Sequence, residues 1–315
     1  MLKFERISTD DIPHFISFLK DTEPDYPYRW FFDPQWVMER VNDENYIWGI
    51  ARKRNDPSII GTVLCHNDVE KKIAVLKLLF VHPSHRNKGI LNGLFLDRIN
   101  ERRVIDEIMS WNPSLLFAEV LANNDTALKI VRKMGMMVLG RYPCKTVRTN
   151  TRLDLIPHAI LFDKRHKTID VDERIAAQVK AIIETNDLKK LRSLKIGRQK
   201  GTMIETCPTR IKKDNDKAMH RTYLIELLDG STITFEFNEF SRTVTNVMLG
   251  DATPEAVMFF DSYVSELSPS YVEIMIPPML ELQHVAIDLG YAFTSYLPSY
   301  WNGEDVLTFS KWKKE

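Results

Sequence analysis

The chain has 315 residues, 44% hydrophobic and 27% charged, the balance of a soluble globular protein with room for two domains. Its 43 Lys and Arg offset 43 Asp and Glu, which removes the global polybasic signal expected for nucleic acid or an acidic membrane. No apolar run approaches the roughly 20 residues of a spanning helix, and the N-terminus lacks a secretory core. Cys65, Cys144 and Cys207 are too few and too scattered for a disulfide framework or a zinc site. The expectation is a cytoplasmic protein without a metal.

Residues 2–7 alternate as a strand, and Ser8-Thr9-Asp10-Asp11 supplies an N-cap for a helix carrying Ile12, Phe15, Ile16 and Leu19 on one face. Residues 23–34, EPDYPYRWFFDP, set aromatic side chains among prolines, a loop that covers a core or lines a cleft. A short helix over 35–41 and strands over 46–52 and 59–66 follow. Residues 75–81 form an apolar run broken only by Lys77, the pattern of a strand buried on both faces. Pro83 stops it, because proline cannot donate to a sheet ladder. The loop Ser84-His85-Arg86-Asn87-Lys88-Gly89 leads into a helix in which Ile90, Leu91, Leu94, Phe95 and Ile99 recur at helical spacing, reaching about residue 109. Backbone N–H groups at such a loop and helix start, with Arg86 and Lys88, suit an anion. GxxxxGK[ST] and GxGxxG are both absent, and an ordinary turn with solvated cations is the alternative reading.

A second apolar strand spans 115–121 with Glu119 inside it, an acid that burial would make costly unless paired or protonated. Asn123-Asn124-Asp125 caps a helix with Ala127, Ile130, Val131 and Met134 on one face, closed by Gly135. Strands are expected over 136–142 and 158–163.

Val81-His82-Pro83-Ser84-His85-Arg86-Asn87-Lys88-Gly89-Ile90 resembles the acyl-CoA pyrophosphate loop of the GNAT superfamily of N-acyltransferases, whose pattern is Arg or Gln, two residues, Gly, one residue, then Gly or Ala. Arg86 and Gly89 match; Leu91 replaces the small residue. Ala118-Glu119-Val120, Asn124-x-x-Ala127 and Lys133-Met134-Gly135-Met136 resemble the family's second motif set. The resemblance covers residues 1–165. It implies an α/β (α+β) GNAT-type fold, a mixed central sheet flanked by helices, with a second, smaller α+β domain behind it.

The charged stretch 164–173 marks the expected boundary, giving an acyl-CoA-binding catalytic domain at 1–165 and an acceptor- or partner-binding domain at 166–315. The second part is expected to hold a helix over 172–184, extended or followed by 188–194. Its basic stretch from Lys189 to Lys213 reads as a solvated face, with phosphate or RNA as the other reading. A hairpin of 221–228 and 231–237 turns at Asp229-Gly230, and a helix spans 254–267. Ser268-Pro269-Ser270 then leads through a strand and a helix to Gly290, echoing the run from Asn112-Pro113-Ser114 to Gly135, with Glu273 near the counterpart of Glu119. The echo suggests a second, GNAT-like half without a basic phosphate loop.

The resemblance implies transfer of an acetyl or other acyl group from acetyl-CoA or another acyl-CoA to a primary amine. Backbone groups of Phe80 and Val81 would hold pantetheine. Those of Asn87, Lys88, Gly89, Ile90 and Leu91, with the Arg86 and Lys88 side chains, would hold pyrophosphate. Glu119 is the candidate base, or else orients water or holds structure. Asn124 is a helix cap or an acyl contact. The family's usual tyrosine acid falls at Val131, which cannot donate a proton, and Tyr142 is the nearest substitute in sequence. The acceptor class and oligomeric state are not legible, and a CoA-sensing module without catalysis is the alternative function.

Overall fold

The computed structural model describes residues 2–24, 26, 28–96, 103–148, 151–197, 208–216, 220–227, 232–249 and 253–313. The chain divides into two compact units, Met1–Glu119 and Val120–Glu315. No helix among the described residues is long and apolar enough to cross a membrane.

In the first unit, β1 (Leu2–Arg6), β2 (Tyr46–Lys53), β3 (Ile59–Asp68) and β4 (Ile73–Val81) pair antiparallel in that order. The last strand, β5 (Leu115–Leu121), within which the two units divide, runs parallel to β4. That reversal requires a crossover, supplied by α3 (Ile90–Leu96) and α4 (Val104–Ser110). The sequence reading of one long helix is corrected here. Arg103 is extended at φ −80° and ψ 145°, so α4 starts afresh, and residues 97–102 lie outside the described residues. Ahead of β2 come α1 (Ile12–Thr22) and α2 (Pro34–Val41). The backbone N–H and hydroxyl of Ser8 both donate to Asp11 Oδ2, at 2.8 and 2.7 Å, which fixes the chain's entry into α1.

The aromatic segment before α2 covers the core. Tyr26 and Phe31 pack with Phe15, Leu19, Val37, Trp48 and Leu64, while Tyr28, Trp30 and Phe32 are half-buried against them. Trp48 donates from Nε1 to Thr62 Oγ1 at 3.1 Å, and Thr62 in turn donates to the Gly49 carbonyl, so the polar atoms taken into this core are paired.

Gly93 lets α3 lie close to the sheet, because a Cβ added there would overlap the Phe4 ring. Gly93→Ala is expected to cost about 1–3 kcal/mol through overpacking. Denaturant unfolding with an unchanged m-value would check it.

At the far end of β2 and β3, Tyr46 and His66 stack with centroids 4.5 Å apart. Burial, reinforced by the Lys77 charge, pulls the His66 pKa down to about 4. An unfolded histidine titrates near 6.5, so between those values the unfolded chain binds the extra proton. This contribution to stability is complete above about pH 6.5 and is lost as pH falls toward 4. NMR titration should place the imidazole midpoint near pH 4, and His66→Phe should flatten the pH dependence of Tm over that window.

In the second unit, α5 (Asp125–Lys133) precedes β6 (Met137–Val138), β7 (Tyr142–Arg148) and β8 (Thr151–Leu161), and β8 pairs antiparallel with both short strands. Sequence reading missed the β7–β8 hairpin, because Pro143 and Arg148 to Thr151 interrupt the alternation. The charged stretch 164–173 contains β9 (Lys167–Asp172), in which Ile169 and Val171 are buried on either side of the half-buried Asp170 and Asp172 is buried at the strand's end. After α6 (Ala176–Thr185), the basic run is a 3-10 turn at Leu188–Lys190 followed by β10 (Arg192–Gly197), which pairs parallel with β9; it does not extend the helix. The rest of that run falls partly on residues 198–207, outside the described residues.

A larger sheet follows in the order β11 (Pro208–Asp216), β12 (His220–Leu227), β13 (Thr232–Asn238), β14 (Thr243–Leu249), β15 (Tyr271–Ile276), β17 (Glu304–Trp312), β16 (Ala292–Trp301). The hairpin is β12–β13, and its Asp229-Gly230 turn lies outside the described residues. Two helices, α7 (Pro254–Glu266) and α8 (Leu280–Asp288), connect β14 to β15 and β15 to β16. The chain is thus a mixed α/β protein with a central mixed sheet flanked by helices, followed by a second sheet-rich domain.

Candidate functional site

The site begins with a defect in β4. Leu78 pairs with Leu64 and Leu76 with Cys65, so Lys77 is an extra residue in the strand, a β-bulge. It falls where the parallel pairing ends: β4 and β5 stay together from Ile73–Leu115 to Leu76–Ala118. Beyond that pair, β4 runs on to Val81 and β5 to Leu121 without further register between them. The bulge re-aims one strand and the two part. The strand is therefore buried only in its first half, and Leu79, Phe80 and Val81 are half-exposed, which corrects the expectation of burial on both faces.

Hydrogen bonds report which way the parted strand faces. His82 N–H donates to the Ile60 carbonyl of β3 at 2.9 Å, so by two-residue alternation Phe80 also turns its backbone toward β3. The Lys77 carbonyl accepts from Tyr26 OH at 3.3 Å and the Val81 carbonyl from Arg86 Nε at 3.3 Å, both on the other edge. Backbone groups of Leu79 and Val81, rather than Phe80, are thus presented along the opened edge. The Phe80 side chain meets the Tyr26 ring edge-on at 5.3 Å.

The loop that follows is built to expose N–H groups. Pro83–His85 make a 3-10 turn in which Ser84 Oγ lies 2.8 Å from both His82 Nδ1 and His85 Nδ1. Asn87 and Gly89 both take positive φ, 62° and 72°. An anion nest turns successive N–H groups to one side by alternating left- and right-handed residues, and Asn87 and Gly89 supply left-handed positions of that kind. Among the described residues, no acceptor lies against the N–H groups of Asn87, Lys88 or Gly89, and Ile90 and Leu91 begin α3, where N–H groups lack intrahelical partners. A Cβ added at Gly89 would meet nothing within 4 Å, so the space above the loop is open. Arg86 and Lys88 are exposed; Lys88 Nζ reaches back to the Ser84 carbonyl at 3.1 Å and braces the turn. Burial, with the Lys53 and Lys88 charges, lowers the His85 pKa and favours its neutral form.

Glu119 is half-buried on β5, immediately after Ala118, the last β5 residue paired with β4. It is less enclosed than its apolar neighbours in sequence suggest. Asn124 caps α5, its side chain accepting from Ala127 N–H at 3.0 Å. Asn124→Ala should therefore cost about 1 kcal/mol, measured as a shift in the denaturation midpoint. Val131 is buried on α5 together with Leu128, a core position the sequence reading passed over. Tyr142 is fully buried in the second unit, packed with Leu155 and Tyr271, with Lys145 Nζ 4.1 Å from its ring centre. Val81, the loop 86–91 and Glu119 belong to the first unit, and Asn124 and Tyr142 to the second. Sequence reading missed Tyr26 and the Lys77 bulge; the lone cation inside an apolar run was the visible sign of the latter. Among the described residues, no group of three or more His, Cys, Asp or Glu is placed to hold a metal ion.

Residues 15–136 match the family model described as Acetyltransferase (GNAT) family. Similar solved structures include the ribosomal-protein-S18-alanine N-acetyltransferase from Escherichia coli, at 18% identity and TM-score 0.42 over 52% of this chain and 95% of that one. An N-acetyltransferase from Staphylococcus aureus aligns at 16% identity and TM-score 0.43, over 52% and 99% of the two chains. The yncA protein from Salmonella typhimurium, with its cofactor acetyl-CoA, aligns at 16% identity and TM-score 0.42, over 53% and 97%. No curated protein sequence matches the chain. By the family-model match, residues 15–136 are a GNAT acetyltransferase domain.

Proposed function

We propose that this chain is an acyl-CoA-dependent N-acyltransferase that moves an acetyl or other acyl group to a primary amine. The observation that carries the reading is the parted β4–β5 pair, which leaves a strand edge open beside an exposed N–H nest flanked by Arg86 and Lys88. Pantetheine is an amide chain and can pair with a strand edge as a peptide does. Here Leu79 and Val81 offer that edge, with Arg86 leaving the Val81 carbonyl as the donor binds. The pyrophosphate suits the N–H groups of residues 87–91, assisted by Arg86 and Lys88. Leu91 leaves the backbone donors in place and narrows the approach.

In the reaction, the amine nitrogen attacks the thioester carbonyl carbon. The C–S bond then breaks and the proton shed by the amine passes to Glu119, directly or through a water. A β4 backbone N–H at the open edge stabilises the developing oxyanion. With valine at 131, the departing CoA thiolate takes its proton from solvent. Functionally we divide the chain into residues 1–165, which hold the donor and the base, and 166–315, which serve the acceptor or a partner.

Calorimetric titration tests the donor site. Acetyl-CoA and CoA are expected to bind the wild type in the micromolar range, and Arg86→Ala/Gly89→Gln should weaken binding at least 100-fold, about 2.7 kcal/mol. A well-folded wild type that binds neither would overturn the reading. Binding with no thiol release across a broad amine panel would favour the CoA-sensing alternative.

A further inference from the structure

We infer that the second sheet repeats the first around a sealed copy of the same position, so that the chain holds one acyl-CoA site and not two. The inference rests on the acyl-CoA reading of the first site. Both sheets open with four strands paired antiparallel in sequence order, β1 to β4 and β11 to β14. In each, a helical crossover then delivers a fifth strand parallel to the fourth, β5 or β15. The agreement extends to the defect. Thr234 pairs with Met248 and Glu236 with Thr245, so β14 carries one residue more than β13 in the interval, as β4 does against β3. Asn246, in that bulge, has a φ of 54°. Opposite it, β15 pairs at Val244–Val272 and again at Val247–Ile274, and the residue in between is Glu273. Glu119 likewise follows the last regular pair, Leu76–Ala118, beside the bulge at Lys77. Strand order, bulge and glutamate therefore superimpose by register.

The two copies then differ in what a ligand needs. After its bulge β4 has no further register with β5, whereas β14 rejoins β15 at Val247–Ile274, and of its described residues only Met248 and Leu249 run beyond that pair. The segment between β14 and α7 contains Asp251 and no Arg or Lys, and Thr253 caps the helix. Glu273 is 1% exposed, in contrast to the half-buried Glu119. Lys145 of β7 brings its ammonium to 2.9 Å from the carboxylate, and Tyr271 OH donates to it at 2.8 Å. Tyr271 OH also lies 2.8 Å from Ser310 Oγ, which is 3.2 Å from Thr294 Oγ1. A primary ammonium on a strand glutamate is the contact an amine acceptor would make at Glu119; here the chain supplies its own. With the strands rejoined beyond the bulge and the carboxylate already occupied, Lys145 is a plug and not an acceptor.

Titration of the intact chain with acetyl-CoA decides the matter. The expected stoichiometry is one per chain, falling to none in Arg86→Ala/Gly89→Gln. Two per chain, or one surviving in that double variant, would overturn the sealed copy while leaving acyl-CoA binding intact. No binding by folded wild type would instead remove the first-site reading and this inference with it. The plug has its own readout. Lys145→Met should lower Tm by several degrees, and Lys145→Met/Glu273→Gln should recover part of the loss, because Gln removes the stranded charge. A Lys145→Met variant as stable as wild type would show that the lysine seals nothing.

Discussion

Arg192→Met is expected to destabilise the chain by about 3–5 kcal/mol, the cost of stranding a buried carboxylate. The Arg192 side chain is fully buried on β10 and Asp305 is 1% exposed. The guanidinium holds Asp305 through two bonds, Nε at 2.7 Å and Nη2 at 3.0 Å, and its remaining donors reach Ser299 Oγ and the carbonyls of Arg165 and Leu191. Asp305 also accepts from Tyr296 OH at 2.5 Å and from Ser299 N–H at 2.9 Å. Burial, together with the Asp305 charge, drives the Tyr296 pKa well above its ordinary value, so the phenol stays a donor. Every polar group is paired, and the network ties the β9–β10 pair to the β16–β17 hairpin. Arg192→Met/Asp305→Leu should recover a large part of the loss, since an apolar replacement of both partners strands no charge. Denaturation of the single and double variants measures it; a single variant within about 1 kcal/mol of wild type, the ordinary range for a surface pair, would show that the network bears no weight.

Glu119→Gln carries the largest expected effect on activity. Glutamine keeps the shape and one acceptor oxygen but takes no proton at neutral pH, so the turnover number should fall by roughly 10²–10⁴, the usual contribution of a positioned base. Acetyl-CoA affinity should be unchanged, because the proposed donor contacts come from Leu79, Val81 and residues 86–91. Thiol release measured with the best acceptor of an amine screen, across pH, separates the outcomes. Loss of activity restored at high pH, where the amine deprotonates unaided, supports the base role. A turnover number within about threefold of wild type would assign Glu119 to structure alone, since general-base contributions exceed that.

The first unit was legible because its signals are local. The apolar run of β4, Pro83 after it, the glycine and cations of the loop and the N-caps at Asp11 and Asn124 each act within a few residues of themselves. β9 was hidden because its three charged residues outnumber its two buried apolar ones, and the β7–β8 hairpin because its long-range pairing outweighs an unfavourable sequence. The helix expected to run to about residue 109 failed on one backbone angle at Arg103, where apolar periodicity on both sides gave no warning.

By itself the sequence determined the family resemblance, the basic loop and the candidate glutamate, since residue types at short spacing are what those features consist of. It also registered the echo between the two halves. Tertiary structure alone decided which backbone groups face the opened edge, because that depends on the bulge at Lys77 and on the strand paired across from it. It decided, too, how Glu119 and Glu273 differ: Glu119 stands where strands part, and Glu273 lies under Lys145, 128 residues away in the chain. A strand reads its partners across space, and the spacing of residues along the chain does not carry that information.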